Sequence, residues 1–303
     1  MDVIVANQLS KRYGRVAAVD GIDFRIGRGE IVGFLGPNGA GKTTTLRMLA
    51  GLIRPSSGEG RVLGERVPGP SLRRVGTMIE EPSFYPYMAG RDNLRHAALL
   101  HGEVPERRID EVLDFVKLDR ASTKRVKAYS QGMRQRLGLA RSLLWSPEVL
   151  LLDEPTNGLD PVGIAEIREN LRAVADTGVT ILVSSHILAE IEKLVDRILA
   201  IEKGRLVFDG PLATLVHRMD AATVPYRVRA TDGAALLAAL RDLGYAPEAD
   251  GEGGARVDVP AADADALLAR LVRAGVEVTD AQRVAEDLEG AYLRLVRGDG
   301  RPS

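Results

Sequence analysis

Cysteine is missing from all 303 residues, which excludes disulfides, thiolate metal sites and cysteine nucleophiles and agrees with a reducing compartment. An excess of either charge is missing too. The 41 basic and 42 acidic residues leave a formal net charge of −1, and neither end carries a block of one sign, so no nucleic-acid partner held by bulk electrostatics is expected. No run approaches the roughly 18 unbroken apolar residues of a spanning helix. The first ten residues mix Asp2, Asn7 and Gln8 into a short apolar stretch and lack the basic start, apolar centre and cleavage site of a signal peptide. A soluble intracellular protein is the expectation. Hydrophobic residues, at 45%, are ample for real cores, and the length exceeds what one core usually supports, so a larger and a smaller domain are expected.

Against these absences stands one dense motif. Gly36, Pro37, Asn38, Gly39, Ala40, Gly41, Lys42 and Thr43 fit the phosphate-loop pattern G-x-x-x-x-G-K-[ST], after the apolar run 31–35 and before a helical stretch at 44–50 that Thr44 opens. A loop that wraps phosphate oxygens must turn successive backbone N–H groups inward, which the glycines permit. Lys42 then reaches the β- and γ-phosphates of a nucleotide triphosphate, the Thr43 hydroxyl can hold Mg²⁺, and the helix N-terminus favours the same anion. Residues 149–152 read as a buried strand that ends in Asp153 and Glu154. Adjacent carboxylates there suit a divided task, in which Asp153 accepts a water on Mg²⁺ and Glu154 orients and deprotonates the attacking water.

Over residues 1–215 short apolar strands alternate with helical segments, an α/β pattern of a sheet covered by helices. Strands are expected at 31–35, 149–152 and 179–183, and β-rich pieces near 3–26 and 60–67 look antiparallel. A helix is expected from an Asp160 cap and Pro161 to about Asp176, ended by Gly178. From about residue 224 the chain becomes rich in Ala, Leu and Asp, and the segments 235–240 and 266–271 repeat, each closed by a glycine (Gly244, Gly275) and each preceded by a short strand, at 226–230 and 255–259. That order predicts a small α+β ferredoxin-like domain over 222–303. Residues 250–254 read as its hairpin turn, and a last helix at 288–296 places Leu288, Tyr292 and Leu295 on one face.

Together these motifs resemble the nucleotide-binding subunits of ATP-binding cassette (ABC) transporters, over about residues 1–215. The resemblance implies a P-loop ATPase domain with a mainly parallel core sheet, an antiparallel β-subdomain and a helical subdomain at about 85–145. Residues 36–44 match the Walker A loop and 149–154 the Walker B strand. Gly158-Leu159-Asp160 is similar to the D-loop, which in the family communicates between two sites of a dimer. His186, after Ser184-Ser185, resembles the switch histidine that contacts the γ-phosphate, and Tyr13 in Lys11-Arg12-Tyr13-Gly14 the aromatic that stacks on adenine. Tyr129-Ser130-Gln131-Gly132-Met133 resembles the signature, usually Leu-Ser-Gly-Gly-Gln, keeping Ser130 and Gly132, which in the family face the γ-phosphate of the opposite subunit. Glu80 stands where the family usually has the Gln that touches Mg²⁺.

The run 80–86 resembles bacterial exporters similar to the bacitracin, lantibiotic-immunity and daunorubicin systems. The resemblance implies an ATPase with ATP and Mg²⁺ as cofactors, a homodimer through the ATP sites, and an integral-membrane permease as partner. It places the chain in the cytoplasm, peripheral on the inner face of the cell membrane, driving export of a drug, peptide or lipid-like compound. Phe84, Tyr85 and Tyr87 are expected to form a docking surface for a short helix of that permease, while Trp145 and Met133 read as packing residues. A rival reading is a soluble ABC ATPase acting on ribosomes, DNA ends or iron–sulfur assembly. Residues 222–303 are expected to serve as a dimer-contact or regulatory appendage, with small-molecule binding as the other possibility for that domain.

Overall fold

The structure, a computed structural model, describes residues 2–102, 104–214, 223–251, 253–260 and 263–283. Contacts divide the chain into two units, Met1–Leu212 and Ala213–Ser303. The boundary stretch at 215–222 and the helix expected at 288–296 lie outside the described residues.

In the first unit two kinds of strand follow from two kinds of sequence. Mixed apolar and polar residues form β1 (Asp2–Tyr13) and β2 (Val16–Gly27), a hairpin in which Tyr13 faces Val16. With β4 (Ser57–Val62) and β5 (Glu65–Arg66) they make an antiparallel sheet of order β2-β1-β4-β5. Unbroken apolar runs instead become strands buried on both faces: β3 (Ile31–Leu35), β7 (Val149–Asp153) and β8 (Thr180–Ser185). These join β6 (Val75–Met78), β9 (Arg197–Glu202) and β10 (Arg205–Pro211) in a six-stranded sheet of order β10-β9-β3-β8-β7-β6, parallel except for β10.

Helix α1 (Lys42–Leu49) joins the two sheets into one core. Its Leu46 and Leu49 cluster with Ile4, Ile22 and Phe24 of the antiparallel sheet and with Phe34, Leu151 and Leu182 of the parallel one. Burying each such side chain contributes roughly 1.5–3 kcal/mol. Between β6 and β7 the chain forms α2 (Gly90–His101), α3 (Glu106–Phe115) and α4 (Gln131–Leu143), the helical part expected from sequence. After β7 come α5 (Pro161–Asp176) and, beyond β8, the single turn α6 (Leu188–Ile191). Asp160 caps α5 by accepting from Gly163 N at 2.9 Å.

Register decides where a ligand can sit. Met78 pairs with Leu152, Asp153 with Ser184, and Ser185 with Leu35. The carboxyl ends of β6, β7, β8 and β3 are therefore level, and the loops that follow all leave the edge at which such sheets bind ligands.

The second unit runs β11 (Thr223–Ala230), α7 (Gly233–Asp242), β12 (Glu248–Ala249), β13 (Gly254–Pro260), α8 (Leu267–Arg273) and β14 (Val278–Arg283). Its antiparallel sheet has the order β12-β13-β11-β14, the ferredoxin-like arrangement that the repeated strand–helix pattern predicts. The turn at 250–254 closes through Asp250 N donating to Gly254 O at 3.0 Å. Val228, Leu236, Leu240, Val257, Leu267 and Leu271 form this unit's own core.

Candidate nucleotide site

The loop between β3 and α1 turns through Gly41, whose φ of +114° lies in the left-handed region and whose added Cβ would fall 2.5 Å from Ala18 O. Only glycine fits there. Pro37, Asn38 and Gly39 form the exposed tip, and Ala40 N closes the turn on Pro37 O at 3.1 Å. Lys42, 5% exposed, brings its ammonium back over the loop, donating to Gly36 O at 2.6 Å and Pro37 O at 3.3 Å, and lies 3.2 Å from Glu154 Oε1. Thr43 and Thr44, in the first turn of α1, are half-buried.

Two chains of contact cross from this loop to the neighbouring strands. In one, Thr43 Oγ1 donates to Asp153 Oδ2 at 2.7 Å, and Ser184 Oγ donates to Asp153 Oδ1 at 2.5 Å. Ser184 Oγ also accepts from Glu154 N at 3.1 Å. In the other, Lys42 meets Glu154, whose Oε2 lies 2.7 Å from His186 Nδ1. The backbone of Glu154 has φ +48°, a left-handed conformation that costs a non-glycine residue roughly 1–2 kcal/mol and concentrates at functional sites. The Thr43 hydroxyl and the buried Asp153 carboxylate, adjacent and both hard oxygen donors, suit a cation such as Mg²⁺.

Tyr13 ends β1 on the hairpin and is 49% exposed, with Lys11 Nζ 5.3 Å from its ring centroid. The hairpin is tied to the phosphate loop by backbone, since Asp20 N donates to Gly204 O at 2.8 Å and Gly204 N to Ala40 O at 2.9 Å. Glu80, at φ +67° beyond β6, pairs with Arg47 of α1 and is otherwise largely exposed. Thr43 and Asp153 thus meet each other while Glu80 is engaged by Arg47.

Ser130 is the N-cap of α4, accepting from Met133 N at 3.2 Å, and Gly132 lies in that helix's first turn, beside Leu159. Tyr129, in place of the usual Leu, is buried and donates to Ala121 O at 2.8 Å. Burial raises its phenol pKa. Farther along α4, Arg141 stacks its guanidinium 4.9 Å over the Phe84 ring and donates to Ser83 O at 3.0 Å, with burial lowering its pKa. Asn93 of α2 holds the same loop through Tyr85 N at 2.8 Å. Between the loop and α4 opens a groove of about 380 Å³, lined by Pro82, Phe84, Pro86, Lys127 and Arg134 among others, with Tyr85 and Tyr87 exposed nearby.

Sequence reasoning assigned no role to Ser184, Thr156, Gln131 or Glu190. For Ser184 a signal existed: hydroxyls at 184 and 185, both fully buried, follow the apolar run 181–183, and Ser184 lies level with Asp153.

Comparison with known proteins adds four findings. The family model described as "ABC transporter" matches residues 19–157. A bacitracin transport ATP-binding protein of Bacillus licheniformis is 46% identical over 71% of this chain and 72% of its own length. A daunorubicin resistance ATP-binding protein of Streptomyces coeruleorubidus is 36% identical over 98% of this chain and 97% of its own. A solved ATP-binding subunit of an ABC transporter superposes with a TM-score of 0.65 at 30% identity, covering 72% of this chain and 93% of that one.

Proposed function

The chain belongs to the ATP-binding subunits of ABC transporters, ATPases that power a separate transmembrane component, and from that premise we propose how its residues divide the work and what is moved. The loop amides of residues 36–44 and the Lys42 ammonium hold the phosphates, and Tyr13 stacks on the adenine. Thr43 and Asp153 would hold Mg²⁺; Glu80 would first have to exchange Arg47 for the cation. When bound, the ion neutralises phosphate charge. Glu154 takes the proton of the attacking water, and His186, 2.7 Å from that carboxylate, steadies it and meets the γ-phosphate.

Two copies close head to tail, each lending Ser130 and Gly132 to the other's nucleotide, and closure by ATP followed by reopening after hydrolysis supplies the stroke. Among the described residues no helix is long and apolar enough to cross a membrane. The path therefore belongs to an integral-membrane permease, whose short helix docks in the groove beside Phe84, and the chain works on the inner face of the cell membrane. The relatives' names, bacitracin transport and daunorubicin resistance, support export of a drug, peptide or lipid-like compound. Residues 222–303 serve as a dimer-contact or regulatory appendage.

The observation that carries the reading is the pair of contacts Thr43–Asp153 and Lys42–Glu154–His186 at one sheet edge. Its test is purification of the tagged chain from native membranes, with the retained proteins identified and ATP hydrolysis assayed. Recovery of a many-spanning membrane protein together with ATP hydrolysis is expected. Recovery of ribosomes, nucleic acid or only soluble proteins would overturn the transport role and leave the ATPase.

A further inference from the structure

The segment that leaves Glu154 for α5 is held from two sides. On one side the Thr156 hydroxyl, on a residue 3% exposed, donates to Glu190 Oε2 at 2.5 Å. Glu190 lies on α6, just beyond His186. On the other side Gln131, in the first turn of α4, donates from Nε2 to Asn157 O at 3.2 Å. Its amide also covers Gly158, where a Cβ would fall 2.2 Å from Nε2 and where φ is +72°. The segment itself is tightly turned, with Asn157 N donating to Glu154 O and Leu159 N to Thr156 O, each at 3.1 Å. These turns form a continuous hydrogen-bonded link between the two anchors.

We infer that Glu190 and Gln131 are positioning residues for ATP hydrolysis: they clamp residues 156–159 and so couple the Glu154–His186 end of one nucleotide site to the start of α4. The inference rests on the reading that Ser130 and Gly132 serve the nucleotide of the other copy. Glu190 acts through Thr156 and Gln131 through the Asn157 carbonyl; neither is assigned a contact with nucleotide. Gln131 stands where the family signature usually has glycine, and a glycine could not make this bond.

Steady-state ATP hydrolysis by the full-length chain, with kcat, KM, Hill coefficient and melting temperature measured together, tests the clamp. Glu190→Ala and Thr156→Val are each expected to lower kcat about tenfold, the scale of a lost hydrogen bond to a charged partner, with KM little changed. Glu190→Gln keeps an oxygen acceptor for the Thr156 hydroxyl and should recover most of the rate. Gln131→Ala should lower the Hill coefficient, and the Glu190→Ala, Gln131→Ala pair should lose less than the product of the single losses, because both anchors act on one segment. Hydrolysis at the parent rate in Glu154→Gln would count against the assignment of the base. With Glu154→Gln inactive, unchanged kcat and Hill coefficient in Glu190→Ala and Gln131→Ala would overturn the clamp alone. So would a Glu190→Gln chain as impaired as Glu190→Ala.

Discussion

Glu154 carries the sharpest residue-scale consequence. Its carboxylate bridges the Lys42 ammonium and the His186 ring, while its amide is held by Ser184. In Glu154→Gln the side chain keeps its size and the backbone bond to Ser184, so nucleotide binding should persist. The kcat should fall by about 10²–10⁴-fold, the range for removing a general base. Equilibrium binding of labelled ATP beside single-turnover hydrolysis separates the two effects, and parent-rate turnover would remove Glu154 from the role of base. Tyr129 shows how a departure from the usual signature is absorbed locally. Its hydroxyl finds Ala121 O, and Gly90 leaves the room, since a Cβ there would fall 2.2 Å from that hydroxyl.

At the scale of elements, the α2–α3 pair is stapled by charge as well as by apolar packing. Glu106 accepts from Arg95 Nε at 2.6 Å and pairs with Arg91 at 3.3 Å. The hydrogen bond from Arg95, followed by that from Arg91, holds its pKa down from 4.5 to about 2. A carboxylate depressed in the folded state contributes stability above its unfolded pKa and loses that contribution as pH falls through the folded value. The melting-temperature difference between parent and Glu106→Gln should therefore be small and positive at neutral pH, vanish as pH falls toward about 2, and shrink in high salt. A difference that grew in acid would refute the assignment.

Element boundaries also show what was legible in the sequence. The Asp160 cap and Gly178 stop bracket α5 as expected because both signals are local. Helix α1 begins at Lys42, earlier than expected, because Gly41 rather than a polar side chain forms its N-cap. Strand β12 has two residues and β14 carries polar side chains on both faces, so neither announces itself by period. The nucleotide motifs were legible because their spacing is fixed along the chain. The Thr156–Glu190 and Gln131–Asn157 bonds were not, since only folding brings those residues together.

For the whole molecule, two units with separate cores imply two cooperative transitions. Leu236 is fully buried in the second unit's core, and Leu236→Ala should cost that unit roughly 2–5 kcal/mol. Calorimetry should show one transition lowered, with ATP binding by the first unit unchanged; a single transition lowered as a whole would mean that the units unfold together. Within the first unit, the β1–β2 hairpin and the phosphate loop are joined through Gly204 by backbone hydrogen bonds to Asp20 and Ala40. In the proposed site the hairpin grips the base and the loop grips the phosphates, so the distance between the two grips is set by main chain rather than by mobile side chains. The site then acts as a ruler, selecting its nucleotide by length as well as by charge, and a free triphosphate ion, which spans only one grip, should be a poor competitor.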